Sequence, residues 1–290
     1  MSHELLNHFV HSLAHEICTL ERLSNTQHSN QSYLCQGKKN RYVAKLNVTP
    51  EQYHLACLLG EQGLAPRVLG YQASLHILLS EYLPGRHLTT QDLFDGSTQE
   101  KINTYLQMLH NIKLPTNQLA LTVTDNIDYH LTRLSKYTLH QNTLAHYQQL
   151  KITLAALPFS PCLIHGDCHV GNLLLTQAGQ IIMIDWDCAG SGDPLSDWVN
   201  LSLVAPGILK NQVHQNDQTR RSILQQLTFL LYAVWAMLQL QKLGENAPLP
   251  LCTKSLTEIT LKQPNYYQID TLKQIAGSCL NAYHSNHFQT

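Results

Sequence analysis

The chain has 290 residues, 43% of them hydrophobic, enough for a substantial core in one large domain or two lobes. Only 13% are charged, and 19 basic against 20 acidic residues leave a formal charge of -1. That balance excludes a strongly cationic nucleic-acid binder, and no run of like charges makes an acidic tail or a basic arm. No stretch of about 18 apolar residues reads as a spanning helix. The most apolar segment, Leu227 to Leu240, contains Thr228, Tyr232 and Gln239, so no membrane partner is expected. The opening MSHELLNHFVHSLAHE has neither a basic n-region nor an apolar h-region, and no signal peptide is expected. Eight cysteines, none in a CxxC pair, read as reduced thiols of a cytoplasmic protein.

Apolar residues Leu5, Leu6, Phe9, Leu13, Ile17 and Leu20 predict a helix over 3–22. The polar run SNTQHSNQS then interrupts, and Ser32–Cys35 and Arg41–Leu46 alternate around a Gly-Lys-Lys-Asn turn, as a hairpin does. Thr49 is placed to cap a helix that starts at Pro50 and runs to about Gly63. Strand-like runs follow at 67–71 and 76–82, and Pro84-Gly85 closes this section. Ser97-Thr-Gln-Glu100 reads as a capping box for a helix with Ile102, Tyr105, Leu106 and Leu109 on one face. Residues 113–128 read as a loop and 129–157 as helical. Cys162–His165 reads as a short strand, and Leu173–Leu175 with Ile181–Ile184 as a hairpin. After Asp193-Pro194 the chain is mostly helical. The plan is α+β: a small β-rich lobe, a Pro-Gly connector, and a larger helical lobe carrying a polar hairpin.

The segment LIHGDCHVGNLLLTQAGQIIMIDWD, residues 163–187, is the most informative. It puts His165, Asp167 and Asn172 in one loop, and Asp185 directly after an apolar strand. A buried strand that delivers a carboxylate is costly unless the charge has a partner. A divalent metal is such a partner, and Asn with Asp supplies hard oxygens that suit Mg²⁺ with phosphate oxygens. Asp167 can then sit beside the metal without ligating it, as a base for a hydroxyl. Taken one at a time these residues would simply cap turns; the ordered combination is what points to chemistry. Zinc at Cys162, His165, Cys168 and His169 fits by residue type, but those residues are too bunched for an ordinary structural site.

The same segment resembles the catalytic core of the choline kinase and aminoglycoside phosphotransferase superfamily, small-molecule kinases with a protein-kinase-like fold. The signature H-x-D-x-x-x-x-N is matched by His165, Asp167 and Asn172, and I-D-[WF]-[DE] by Ile184-Asp185-Trp186-Asp187. AGSGDPLSDW, residues 189–198, resembles the family's continuation. The resemblance implies ATP and Mg²⁺ as cofactors, Asp167 as base, and Asn172 and Asp185 as metal ligands. Asp187 is then a second metal or substrate ligand, His165 a buttress of the loop, and Asp197 its anchor. Tyr42-Val-Ala-Lys45 resembles the nucleotide-binding strand, with Lys45 reaching the α and β phosphates. Glu51 is the best candidate for the helix partner of Lys45, although the six-residue gap is short. Glu81-Tyr-Leu83-Pro-Gly85 resembles the connector whose backbone holds adenine. The phosphate-covering loop departs from the family: Leu23–Tyr33 has no glycine, leaving residues such as Ser29 and Asn30 to meet phosphate. A nucleotide-binding lobe over 1–84 and a catalytic and acceptor-binding lobe over 85–290 follow.

The acceptor is read from the helical lobe. The last 50 residues hold only Glu245, Glu258 and Asp270 as acids, which disfavours a polycationic aminoglycoside. A quaternary ammonium instead favours an aromatic cage. Tyr232 and Trp235 lie three apart on FLLYAVWAMLQLQ, which resembles the tryptophan-bearing helix of choline kinases, and Trp186 adjoins the carboxylates. Core packing is the plainer role for each. The expected reaction is ATP-dependent phosphorylation of a small cationic alcohol, choline or ethanolamine first and thiamine close behind. The alternatives are an aminoglycoside phosphotransferase-like enzyme with another acceptor, and a non-catalytic nucleotide-binding pseudokinase. No Asp-Phe-Gly or Ala-Pro-Glu brackets an activation loop, so a protein kinase fits poorly.

Overall fold

The structure is a computed structural model that describes residues 3–23, 31–114, 122–209, 217–245, 249, 252, 254–262 and 268–285. In chain order its elements begin with α1 (His3–Ala14), β1 (Thr19–Arg22), β2 (Ser32–Gln36), β3 (Arg41–Leu46), α2 (Pro50–Glu61), β4 (Val68–Gln72), β5 (Ile77–Glu81) and β6 (Gly85–His87). There follow α3 (Gly96–His110), α4 (Val123–Leu131), α5 (Gln141–Ala156), β7 (Cys162–Ile164), β8 (Leu173–Thr176), β9 (Ile181–Met183) and β10 (Gly190–Gly192). The chain ends in α6 (Leu195–Ser202), α7 (Gln218–Lys242), α8 (Leu256–Lys262) and α9 (Ile269–Ser285). It divides into two compact units, 1–87 with 173–187, and 88–172 with 188–290.

The first unit is built on an antiparallel sheet of order β1-β2-β3-β5-β4. Alternation along β3 buries Tyr42, Ala44 and Leu46 on one face. There they join Leu6, Phe9 and Val10 of α1, with Cys35, Ile77 and Leu79. Lys45 therefore points to the opposite face. Full burial of side chains such as Ile77 and Leu79 stabilises by about 1.5–3 kcal/mol each. A second sheet in this unit, of order β6-β8-β9, carries the hairpin over 173–183. Gly85 is required in β6, because a Cβ there would meet the Leu175 carbonyl oxygen at 2.4 Å.

The second unit is helical apart from the β7–β10 pair. Its axis is α7, which packs against α9, α4, α6 and α5. Leu227, Leu230 and Val234 meet Ile127 and Tyr147 on one side, while Ala233, Ala236, Met237 and Leu240 meet Leu272, Ile275 and Cys279 on another. By length and composition α7 is apolar enough to cross a membrane, contrary to the expectation from the sequence, but 78% of its apolar window is buried in this core. None of the eight cysteines forms a disulfide.

Four local expectations are corrected. The first helix stops at Ala14, where His15 turns left-handed at φ 55°, and residues 19–22 instead pair with β2. Helix α3 is capped by Asp95, which accepts from the Thr98 N–H, and not by Ser97. The expected loop over 113–128 contains the start of α4, which is opened by a reciprocal Thr122–Asp125 capping box. The expected long helix over 129–157 is two helices, α4 and α5. In each case the local pattern was right about polarity, and a competing cap or strand partner decided the boundary.

At the start of α7 a buried ion pair braces the second unit. Arg220 Nε lies 2.9 Å from Asp193 Oδ2, and Nη2 lies 3.1 Å from Asp217 Oδ1. Its Nη1 donates to the Pro158 carbonyl at 2.6 Å. Burial pushes the Asp193 carboxyl pKa up, against the opposing pull of the Leu195 N–H and Arg220. Arg220→Ala should destabilise the protein by about 3–5 kcal/mol in urea denaturation, because it strands a buried carboxylate.

Candidate functional site

In the second unit, β7 ends at Ile164 and the chain enters the loop of His165, Asp167 and Asn172. The loop is anchored from below by Asp197 in the first turn of α6, whose side chain is fully buried. Asp197 Oδ2 accepts the His165 N–H at 3.0 Å and lies 3.0 Å from His110 Nε2. Its Oδ1 accepts the Gly166 N–H at 3.0 Å. Gly166 has φ 78°, and a Cβ there would meet the Cys188 carbonyl oxygen at 2.5 Å, so only glycine fits this turn. His165 is buried, and its Nδ1 accepts the Asp167 N–H at 3.3 Å. The sequence expectation of His165 as buttress and Asp197 as anchor thus has a geometry that would serve it.

Asn172 Nδ2 donates to the Asp167 carbonyl at 2.9 Å and to Asp167 Oδ2 at 3.3 Å. Both partners are acceptors, so the amide orientation is determined, and its Oδ1 is turned from them as a hard-oxygen donor. His169 had entered only through the zinc alternative. Its Nδ1 accepts the Gly171 N–H at 3.1 Å, which puts the ring proton on Nε2, 3.6 Å from Asp167 Oδ2. Burial raises the Asp167 pKa, but His169, His165 and the Asn172 amide outweigh it and hold it at about 2. Cys162, His165, Cys168 and His169 do not form a metal-holding group among the described residues.

In the first unit, the buried strand β9 runs out through Ile184 to Asp185, which takes a left-handed φ of 66°. Asp tolerates this conformation better than most residues. Lys45 Nζ lies 2.6 Å from Asp185 Oδ1 and 2.7 Å from Asp187 Oδ1. Burial lowers the Lys45 pKa, but the two carboxylates more than offset that and raise it. Two adjacent carboxylates already closed around one cation, both hard oxygen donors, fit a divalent ion of the Mg²⁺ type.

The structure does not bring Glu51 to Lys45. Glu51 is exposed in the first turn of α2, where backbone N–H and the Thr49 hydroxyl lower its pKa. Its neighbour Gln52 reaches the cluster, donating from Nε2 to Asp187 Oδ1 at 3.2 Å. The Thr49–Gln52 spacing signalled the cap but not this reach. Glu81 ends β5 and accepts the Arg67 N–H at 2.8 Å. With Leu83, Pro84, Gly60 and Gln177 it lines a cleft of about 380 Å³ within the first unit. Trp186 is buried, and its indole N–H donates to the Met183 carbonyl at 3.2 Å. Tyr232 and Trp235 are partly buried against the α7–α9 core. Ser29 and Asn30 lie outside the described residues.

The model of the phosphotransferase enzyme family matches residues 19–221. Comparison with curated protein sequences gave no match. Among solved structures, the chain is similar to choline kinase LicA from Streptococcus pneumoniae at 16% identity and TM-score 0.70, with 96% of this chain and 98% of that one covered. It is similar to a choline/ethanolamine kinase family protein from Mesorhizobium loti at 17% identity and TM-score 0.65, covering 92% and 87%. A thermostable mutant of aminoglycoside phosphotransferase APH(4)-Ia, in a ternary complex with AMP-PNP and hygromycin B, matches at 16% identity and TM-score 0.65, covering 98% and 99%. At such identities the likeness is one of fold, and it bears out the expected α+β, protein-kinase-like architecture with a sheet-rich first part and a helical remainder.

The depressed Asp167 pKa has a measurable consequence. A carboxylate whose folded pKa is below its ordinary value of 3.8 contributes stability above that value and loses it as pH falls toward about 2. The difference in unfolding free energy between the wild type and Asp167→Asn should therefore stay flat above pH about 4. It should shift in favour of the variant as pH falls from there toward 2, in urea titrations without divalent ions.

Proposed function

Because the chain belongs to the phosphotransferase enzyme family, we propose that it transfers the γ-phosphoryl group of ATP to the hydroxyl of a small cationic alcohol. The supporting observation is the bridge from Lys45 to Asp185 and Asp187, a cation held by two carboxylates at the end of a buried strand. In this reading residues 1–84 bind the nucleotide, with Lys45 exchanging carboxylate for phosphate oxygen and the backbone of Glu81 to Leu83 holding the base. Asn172, Asp185 and Asp187 are the residues that would hold Mg²⁺, and the ion would neutralise charge building on the phosphate oxygens. Asp167 accepts the hydrogen bond of the attacking alcohol and receives its proton as the new P–O bond forms and the bond from the γ-phosphorus to the β–γ bridging oxygen breaks, releasing ADP. Its carboxyl is held below the ordinary carboxylate value by His169, His165 and the Asn172 amide, which suits it to orienting the alcohol oxygen, consistent with the loose character of phosphoryl transfer.

Choline or ethanolamine is the first choice of acceptor, and thiamine the next. The C-terminal 50 residues have three acids, and one of them, Glu245, is paired with Lys273 at 3.2 Å. An ion-pair pocket for a polycation is therefore poorly supplied, which favours aromatic faces. Trp186 is buried, which leaves its ring face little room for a cation, so the acceptor assignment rests on Tyr232 and Trp235. A cytoplasmic location accords with ATP as phosphoryl donor.

The direct test is ATP turnover with Mg²⁺ against choline, ethanolamine, thiamine, homoserine and kanamycin. No turnover with any of the first three would overturn the acceptor class. Asp167→Asn should lower kcat by about 10²- to 10⁴-fold with ATP binding retained, and a loss smaller than about fivefold would remove Asp167 from its role. Trp235→Ala should raise the acceptor KM by about 2- to 30-fold and leave that for ATP little changed. A large fall in Tm with unchanged acceptor kinetics would assign Trp235 to the core alone.

A further inference from the structure

The sequence pointed to Glu51 as the polar residue of α2 that serves the charged cluster, and the structure presents Gln52 in its stead. This side chain is engaged at both ends. Its Oε1 accepts the Thr49 backbone N–H at 2.9 Å, and the Thr49 Oγ1 accepts the Gln52 N–H at 3.3 Å, closing a reciprocal cap on α2. The other end, Nε2, donates to Asp187 Oδ1 at 3.2 Å, the oxygen that Lys45 Nζ also meets at 2.7 Å. The amide has only one orientation that satisfies both partners, since one is a donor and the other an acceptor. A carboxylate at this position would serve the cap equally well and would set a third negative charge beside Asp185 and Asp187. The neutral amide is therefore the side chain that can cap the helix and tie down Asp187 together.

We infer that Gln52 is a positioning residue for the metal–nucleotide site. It orients the Asp187 carboxylate from the start of α2, so that Asp187 takes up Mg²⁺ with little rearrangement when nucleotide arrives. This rests on the reading above in which Asp185 and Asp187 hold Mg²⁺. Groups that orient a ligating side chain typically matter for metal affinity by about 10- to 100-fold.

The test measures ADP binding by calorimetry as Mg²⁺ is titrated, together with a melting curve. Gln52→Met keeps chain length and helix propensity but loses donor and acceptor. Gln52→Ala repeats the loss without the long side chain and is judged in the same way. Thr49→Ala removes the other half of the cap and leaves Asp187 its donor. The expected result is an Mg²⁺ midpoint raised about tenfold in both Gln52 variants and unmoved in Thr49→Ala, with similar small losses in Tm for all three. A midpoint within about twofold of wild type in the Gln52 variants, or an equal shift in Thr49→Ala, would make Gln52 a helix cap and nothing more. Wild type and Asp185→Ala separate this failure from that of the underlying reading. If wild-type ADP binding ignores Mg²⁺, or Asp185→Ala keeps its full Mg²⁺ dependence, the metal assignment fails and the inference falls with it.

Discussion

The carboxylate of Asp197 is fully buried, and a buried charge without partners would cost several kcal/mol. Three groups meet it: the N–H of His165, the N–H of Gly166 and the ring of His110. The first two are consecutive backbone donors of a turn that a left-handed glycine makes possible. Helix α6, strand β7 and helix α3 are thus tied through one side chain, and the loop bearing Asp167 and Asn172 inherits its shape. Within that loop the His165 ring and the Asn172 amide then hold Asp167.

In the first unit the corresponding constraint is charge compensation. Strand β9 is buried throughout and ends in two carboxylates within two residues of each other. Their mutual repulsion is relieved by one ammonium from β3 and one amide from α2. Lys45 is available because alternation along β3 sends Tyr42, Ala44 and Leu46 to α1 and leaves Lys45 on the other face. Gln52 is available because Thr49 and Pro50 set the phase of α2 from its first turn. The chain passes between the units after His87, after Asn172 and after Asp187, and the last two crossings fall directly beside residues proposed to hold metal.

Much of this was legible in the sequence because the chemistry is concentrated in short spans. His165, Asp167 and Asn172 lie within eight residues, and Asp185 and Asp187 close the next hairpin. Local spacing sets such geometry almost entirely, since a loop and a tight hairpin leave few ways to arrange their side chains. The β2–β3 hairpin, the Thr49 cap and the β8–β9 hairpin were legible for the same reason. Where two local solutions competed, as for the cap of α3, the sequence pattern pointed to Ser97 and the structure uses Asp95.

The sequence by itself determined the family, the order of strands and helices over most of the chain, and the residues of the Asp167–Asn172 loop and the Asp185–Asp187 turn. Tertiary structure decided which side chains those residues meet. Glu51 and Gln52 are adjacent in sequence, yet one residue is about 100° of helix rotation, and that rotation leaves Glu51 in solvent and brings Gln52 to Asp187. The same holds for Lys45, whose partners are 140 and 142 residues away. It holds for Trp186, whose indole turns back to its own strand. Periodicity says that a side chain is on a face, but sheet register and helix phase, set by burial of distant apolar residues, decide what that face looks at.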